Sequence, residues 1–257
     1  MNPNISDRSR SATLVAFLCL NVFAVTAHGQ TPAPPQQPPP PPPRTEGSAE
    51  FAFVGTSGNA STQTIGVGGE YIYRPSPWET SMKLKYVRNE SDDELKAQST
   101  VLALRAQRPI KPKLAGYTQY GYQRDRFAGI RNRNAIEAGV AYSWIEQAPQ
   151  KLTVDAGLGY AHEDRVVGSD LSTATVSTGG TYTLKISDTS ELNEDGHFVF
   201  ALSDGSDWRY ANTAAVTAKV TTVFSLKVSN AIRYVHQPVV GFKSTDVITA
   251  VALVAKF

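Results

Sequence analysis

Two short groups of acidic and histidine side chains are the parts of this sequence best suited to chemistry. His162, Glu163 and Asp164 are consecutive, and a histidine beside carboxylates is a pattern used in general acid–base catalysis. Asp195 and His197 stand two residues apart, so on a strand they share one face and could supply two ligands to a metal ion.

Neither group completes a catalytic or metal-binding pattern. A nucleophilic site needs a serine close to a histidine, and His162, His197 and His236 have no adjacent serine. We interpret 162–164 as a solvated charge group in a loop, and the Asp195 pair lacks a visible third ligand. The acidic residues Asp204 and Asp207, and the segment from Asn89 to Glu94, do not follow an EF-hand pattern. We therefore expect no catalytic, cofactor-binding or metal site, and no enzymatic activity.

The charge balance and hydropathy exclude two further classes of protein. The 257 residues include 25 Lys and Arg against 23 Asp and Glu, a net charge of +2, without the basic excess of a nucleic-acid-binding protein. The mean hydropathy of −0.26 argues against a helical membrane protein. It is compatible with a membrane β-barrel, whose strands carry a polar residue at every second position.

Residues 1–27 have the features of a secretory signal peptide. Arg8 and Arg10 precede an apolar run from Ala12 to Val25, and Ala27 ends a stretch typical of a cleavage site. A single membrane anchor is the alternative, although the run is short for a span. Cys19, the only cysteine, raises the alternative of lipidation, but bulky Leu18 precedes it. Cleavage near Ala27 leaves a mature chain without cysteine.

Residues 28–46 form a proline-rich linker. Nine of the 16 prolines lie between Pro32 and Pro43, and such a run adopts the extended polyproline II conformation. We interpret it as a periplasmic spacer, and a ligand for a proline-binding module is the alternative. The folded domain is expected over 47–257.

Apolar and polar residues alternate with period two throughout that domain. Representative apolar faces are Ile65–Tyr73, Met82–Tyr86, Ile136–Trp144, Leu152–Tyr160 and Leu226–Tyr234, taken at every second position. The intervening positions hold Gly, Ser, Thr, Ala and charged residues. A soluble sandwich and a membrane barrel both produce this alternation.

Three features favour the barrel. Several alternating stretches exceed the five or six residues of an average soluble strand and suit tilted membrane strands. Aromatic residues fall near the strand ends, as in interfacial girdles: Tyr71, Tyr73, Trp78, Tyr142, Trp144 and Tyr182 at one end, and Tyr86, Tyr122, Tyr160 and Tyr234 at the other. Val251, Leu253 and Phe257 share one parity, which resembles the terminal signal that outer-membrane barrels present to their assembly machinery; an ordinary last strand ending in Phe is the alternative.

Eleven connections can be assigned between the alternating stretches. Five are short: 74–77, 108–112, 147–150, 187–190 and 221–222. Six are charged or contain glycine: 56–60, 89–94, 124–133, 162–170, 203–207 and 237–244. Eleven connections predict an all-β, transmembrane, antiparallel up-and-down barrel of about 12 strands, an even number as in single-chain bacterial barrels.

The parity also predicts which charged residues face the lumen. They are Glu50, Glu70, Lys83, Lys85, Arg105, Glu137, Asp155, Lys185, Lys219, Lys227 and Arg233. Since both signs are present, these residues could pair and fill the barrel or line a narrow aqueous path. A further group, Arg124, Arg126, Arg131 and Arg133, is expected in one loop, either contacting anionic lipopolysaccharide or balanced by acidic neighbours.

Four segments carry a resemblance to a known family. They are Gly47–Phe51, Thr56–Asn59, Tyr122–Ile130 and Glu137–Tyr142. Over 47–257 the chain resembles the salt-induced outer-membrane protein family, a domain of unknown function in Gram-negative bacteria. The resemblance implies an outer-membrane location and brings no catalytic residues and no established substrate. The proline tract is not part of the family pattern.

We therefore expect a narrow passive channel or an envelope-integrity protein associated with salt or osmotic conditions, in the bacterial outer membrane. The alternatives are a closed structural or adhesive barrel, an outer-membrane hydrolase and a soluble periplasmic sandwich. The expected partners are outer-membrane lipid, lipopolysaccharide and the barrel-assembly machinery, with no nucleic acid. The oligomeric state stays open.

Overall fold

A computed structural model of the chain describes residues 42–56, 62–92, 94–205 and 207–257. The expected signal peptide, Cys19 and most of the linker lie outside the described residues. The first strand begins at Thr45, two residues before the boundary expected from the sequence.

Twelve β-strands of 12 to 18 residues make up nearly all of the described chain. In chain order they are β1 Thr45–Thr56, β2 Thr62–Tyr73, β3 Glu79–Ser91, β4 Glu94–Lys111, β5 Leu114–Asp125, β6 Ile130–Ile145, β7 Gln150–Arg165, β8 Leu171–Lys185, β9 Ser190–Ala201, β10 Trp208–Lys219, β11 Phe224–Val235 and β12 Thr245–Lys256. One 3-10 turn, Arg126–Ala128, separates β5 from β6. No helix among the described residues has the length and apolar character needed to cross a membrane.

The strands close into one antiparallel ring. Each strand pairs with its neighbours in sequence, and β12 pairs with β1 from Ser48 opposite Lys256 to Phe51 opposite Leu253. The predicted barrel of twelve strands is confirmed. Closure leaves no open sheet edge, and in hydrocarbon an unpaired edge would cost several kcal/mol for each amide.

The barrel has two ends, which we distinguish by the chain termini. The terminal end carries the first residue of β1, the last of β12 and short turns at 74–78, 112–113, 146–149, 186–189 and 220–223. The loop end carries the connections 126–129, 166–170 and 236–244, together with the strand ends that flank 57–61, 92–93 and 202–207. Four connections are shorter than the sequence predicted, namely 89–94, 108–112, 124–133 and 162–170. Most of their charged residues belong to strands, where several form ion pairs with other strands, such as Arg133 with Glu163.

The outer surface is an apolar belt. Ile136 on β6 is 59% exposed and Leu158 on β7 is 66% exposed, as expected for side chains that face lipid rather than a core. The aromatic residues predicted for the two strand ends lie near the terminal end and towards the loop end, respectively. Among them, Tyr142 and Trp144 contact each other edge to face on the terminal side. This exterior suits a bilayer with interfacial aromatic girdles.

The connection 236–244, which we call the cover loop, lies against the opposite side of the loop end. A Cβ on Gly129 would lie 2.6 Å from Val239 Cβ and 2.9 Å from Phe242 Cδ2, so both side chains pack directly on this glycine. Gly129 precedes β6, and β5 and β6 stand six places from β11 and β12 in the ring of twelve. The cover loop therefore spans the barrel mouth.

Side-chain burial in the cover loop agrees with this arrangement. Val239 is 5% exposed, whereas the next residue, Val240, is 81% exposed. The Phe242 amide donates to the Val239 carbonyl at 2.9 Å, and Gly241 supplies the positive φ of 89° that the turn requires. At its start, the cover loop is anchored by Gln237 Nε2, which donates to Asp204 Oδ2 at 3.2 Å.

Candidate functional site

The barrel lumen is the candidate functional site, and it contains two adjoining cavities. The terminal cavity, at the terminal end, has a volume of about 370 Å³ and is lined by residues that include Glu70, Lys83, Glu191, Asp195 and Lys256. The central cavity, of about 140 Å³, extends towards Ser99 and Arg233. Four residues line both cavities, Glu50, Lys85, Thr213 and Lys227, and we call this region the junction.

An ion pair crosses one side of the junction. Lys227 Nζ on β11 lies 2.7 Å from Glu50 Oε2 on β1. The Glu50 carboxylate lies flat against Gly68 on β2, since a Cβ there would approach Glu50 Oε1 to 2.5 Å. Gly68 therefore makes the room that allows Glu50 to reach Lys227.

Lys83 and Lys85 project into the lumen from β3. Lys83 Nζ lies 3.3 Å from Glu70 Oε1 on the neighbouring strand β2. Among the described residues, no carboxylate oxygen lies within 4 Å of Lys85 Nζ, so Lys85 forms no ion pair there. Its side chain is exposed to the lumen space. Two adjacent inward lysines on one strand thus differ in whether an acid neutralises them.

The opposite wall of the lumen holds a compact polar cluster. Arg105 Nη1 on β4 lies 3.6 Å from Asp155 Oδ2 on β7, and its guanidinium stacks 3.8 Å from the centre of the Tyr117 ring. The Tyr117 hydroxyl donates to Glu137 Oε1 at 2.5 Å. The cluster fills this part of the lumen, and the two cavities run beside the strands β1 to β3 and β10 to β12.

A glycine on β6 makes room for Tyr117. A Cβ on Gly139 would overlap the Ala156 carbonyl oxygen and lie 2.9 Å from Tyr117 Cζ. Tyr117 is 5% exposed and was missed in the sequence analysis. Tyr117 has the same parity as Gln119 and Gly121, which places it on the inward face of β5. A large aromatic side chain on a face that is otherwise small or polar was the available signal for a site residue.

Asp195 and His197 both face the lumen from β9, as their spacing predicted. Asp195 Oδ2 accepts a hydrogen bond from Thr181 Oγ1 at 3.0 Å. Across the described ranges, no three His, Cys, Asp or Glu side chains are grouped as metal ligands would be. Nearby, Asp155 Oδ1 and Ser177 Oγ are buried without a hydrogen-bond partner among the described residues. Both oxygens could therefore still accept a hydrogen bond.

Glu163 corrects the interpretation of 162–164 as a solvated loop. The three residues lie in β7, and Glu163 is 1% exposed. Its carboxylate is surrounded by three guanidinium groups: Arg209 at 2.7 Å, Arg165 at 2.9 Å and Arg133 at 3.2 Å. Arg133, which the sequence analysis placed in a basic loop, is thus an inward residue of β6 that neutralises a buried acid.

A second contact crosses the lumen near the loop end. Arg233 Nη1 on β11 lies 3.6 Å from Asp125 Oδ2 on β5 and donates to Ser99 Oγ on β4 at 3.4 Å. Asp125 is buried, and it also caps the 3-10 turn by accepting from the Ala128 amide. Asp125 and Ser99 were not predicted to take part in the site, since their partner is more than 100 residues away in the sequence.

The remaining predicted lumen residues lie at the terminal rim. Lys219 and Lys185 line a small cavity of about 140 Å³ together with Lys256. Beside this rim, Arg74 donates to Glu79 at 2.8 Å and pairs with Glu46 at 2.9 Å. Burial lowers the pKa of Arg74, and these contacts raise it by more, so the pKa lies above its usual value.

The residues predicted as an assembly signal lie along β12 and its end. Val251 and Leu253 are exposed on the outer surface. Phe257 exchanges two backbone hydrogen bonds with Gly47, at 2.8 and 3.0 Å, and its ring lies over that glycine. Phe257 thus extends the seam between β1 and β12.

The family model described as "Protein of unknown function, DUF481" matches residues 49–257. No curated protein matches the chain in sequence.

Three solved structures are similar to this chain in shape. The NanC porin is 8% identical, with 82% of this chain and 97% of that chain covered and a TM-score of 0.47. An outer membrane channel from Pseudomonas putida F1 is 11% identical over 83% of this chain and 95% of that chain, with a TM-score of 0.48. The translocator domain of the autotransporter NalP from Neisseria meningitidis is 13% identical over 83% and 86%, with a TM-score of 0.43.

Proposed function

The chain belongs to the DUF481 family of proteins of unknown function, and we propose that it is a narrow passive channel of the bacterial outer membrane. The pair of adjoining cavities in the lumen carries this proposal. A barrel whose lumen is only a core would fill this space with side chains, either apolar or joined in ion pairs. Here the terminal cavity is lined mainly by charged, hydroxyl and small side chains, which are the groups that line a water path, whereas the central cavity also has apolar lining residues such as Val87 and Val101.

The exterior supports the proposed location. The apolar belt and the closed ring are what a bilayer requires of a barrel. A signal peptide cleaved near Ala27 would bring the chain to the periplasm, and the barrel-assembly machinery would recognise the end of β12. Outer-membrane lipid and lipopolysaccharide are then the proposed partners of the belt and of the exposed loop-end arginines.

The cover loop indicates that this structure is a closed state. It lies across the loop end, above the contact of Arg233 with Asp125. We propose that displacement of the cover loop opens the channel. Ion pairs in the lumen weaken as ionic strength rises, since salt screens charges over about 8–10 Å at 0.1–0.15 M. This screening would link opening to salt and osmotic conditions.

The proposed channel is passive, and we assign it no catalytic step. The strongest catalytic candidate, Glu163, is 1% exposed and held by three arginines, so it is not open to a substrate. Glu137 is similarly engaged by Tyr117. An outer-membrane hydrolase would instead keep an activated acid or nucleophile open to its substrate.

A closed structural or adhesive barrel is the second candidate. The cover loop and the ion pair that crosses the lumen favour it, because both join opposite walls at the loop end. In that case the cavities would be internal spaces with no solute flow.

Reconstitution of the purified full chain in planar bilayers separates the two candidates. A channel is expected to give small conductance steps that grow with salt concentration. The absence of steps across several salts, also in a variant whose cover loop is displaced, would leave the closed barrel. Fractionation with heat-modifiable gel mobility tests the location, because a membrane barrel resists SDS until it is boiled and a soluble sandwich does not.

A further inference from the structure

Lys85 is the lysine of the junction whose charge has no acidic partner. At the junction, the other basic residue, Lys227, is paired with Glu50 at 2.7 Å. Lys83, one inward position away on β3, is paired with Glu70 at 3.3 Å. Within the described part of the chain, Lys85 Nζ has neither an ion pair nor a hydrogen bond.

The charges around Lys85 leave the junction with a positive excess. Three charges that act on it are positive, those of Lys227, Lys83 and Arg233, and one that acts on it is negative, that of Glu50. Because the Glu50 carboxylate is already bound to Lys227, little negative charge is left for Lys85. An uncompensated positive charge between low-dielectric walls attracts an anion.

The space beside Lys85 suits a small ligand. Lys85 lines both cavities, so an occupant at its ammonium group could reach it from the terminal cavity of about 370 Å³. Thr213 lines the same junction and Ser229 lines the central cavity, and each carries a hydroxyl group. Hydroxyl groups donate hydrogen bonds to anions. The central cavity, of about 140 Å³, has room for a small ion and a few water molecules only.

We propose that the junction is a binding site for a small inorganic anion of the size of chloride, held at Lys85. The hydroxyl of Thr213 completes the site, and the pair formed by Lys227 and Glu50 keeps a second positive charge close by. If the barrel conducts, this site makes it prefer anions to cations. The preference for anions in transport rests on the proposed channel function. Anion binding itself requires only the lumen and not conduction.

Ion selectivity of the reconstituted full chain is the first test. In a potassium chloride gradient, Lys85→Gln should lower the chloride-to-potassium permeability ratio about fivefold, the effect of one unit charge at about 4 Å in water. The matched control, the double variant Lys83→Gln with Glu70→Gln, removes an ion pair without changing the net charge of the lumen and should change the ratio far less. Lys85→Arg should keep the preference, and Glu50→Gln should increase it. Equal ratios in all variants would overturn the proposal.

Binding without conduction is the second test. The line width of the chloride-35 NMR signal, measured with the detergent-solubilised full chain, reports chloride exchange at a protein site. We expect broadening for the wild type and for the double variant Lys83→Gln with Glu70→Gln, and its loss in Lys85→Gln. If the broadening depends on Lys85 but the protein shows no conductance steps, the proposed anion site is supported and the proposed channel function is overturned. Broadening that does not depend on Lys85 would overturn the anion site, whatever the conductance.

Discussion

Arg233 Nη1 on β11 lies 3.6 Å from Asp125 Oδ2 on β5, on the directly opposite side of the ring. The same guanidinium donates to Ser99 on β4. Directly beyond this contact, the cover loop from β11 to β12 packs on Gly129, which follows β5. Opposite walls of the barrel are thus joined twice at the loop end, once by charge and once by apolar packing.

Gly129→Ala is predicted to displace the cover loop and raise conductance. Its new Cβ would meet Val239 Cβ at 2.6 Å, and the backbone there has a φ of 80°. Gly168→Ala is the matched control, since Gly168 has a φ of 86° and no atom within 4 Å of a Cβ. Both variants should lose about 1 kcal/mol of stability from the positive φ. Planar-bilayer recordings should show larger or longer openings for Gly129→Ala alone; equal traces would mean that the cover loop does not control the mouth.

Glu163→Gln is predicted to destabilise the barrel. The carboxylate is 1% exposed, and its loss leaves three arginines without their shared counter-charge. Removing one partner of a buried ion pair costs about 3–5 kcal/mol. Glu94→Gln, at an exposed pair with Lys96, should leave the stability unchanged. The urea midpoint of the heat-modifiable form, read on gels, measures both; similar midpoints would contradict the assignment of Glu163 as a central structural residue.

Gly139→Ala is predicted to disturb the lumen wall at β6 and β7. A Cβ there would overlap the Ala156 carbonyl and crowd the Tyr117 ring, and such overpacking costs about 1–3 kcal/mol. Gly121→Ala is a control on the neighbouring strand β5, because a Cβ at Gly121 meets nothing within 4 Å. Gly121→Ala should be neutral or stabilise the barrel by up to about 1 kcal/mol, since alanine restricts the unfolded chain more than glycine. Urea midpoints in the reverse order would refute the account of Gly139.

Phe257→Ala is predicted to reduce the amount of folded barrel in the outer membrane of cells several-fold. The substitution keeps the two backbone hydrogen bonds to Gly47 and removes only the ring. If the ring is read by the assembly machinery, folding into liposomes without that machinery should be normal. Equal losses in cells and in liposomes would assign the ring to the stability of the seam between β1 and β12.

The strand order and the facing of most residues could be predicted because they depend on local pattern. A period of two fixes the face of each residue, and the outward positions of β6 and β7, such as Ile136 and Leu158, are apolar at regular spacing. The same parity placed Lys83 and Lys85 on one inward face of β3.

The contacts that close the lumen could not be predicted in this way. Glu163 looked like part of a charged loop because its counter-charges come from β6, β7 and β10, and no local pattern shows that Arg133 and Arg209 meet at one point. The cover loop was expected as a connection, but its contact with Gly129 joins residues more than 100 positions apart. Such pairings depend on the curvature and closure of the whole ring.

A lumen that is open at one end exchanges solutes with one compartment only. While the cover loop stays packed on Gly129, whatever occupies the terminal cavity exchanges with the compartment that faces the terminal end. Occupancy of the cavity would then depend on the solute concentration in that compartment and not on the concentration in the compartment that faces the loop end. In this state the barrel would bind solutes from one compartment without conducting them to the other.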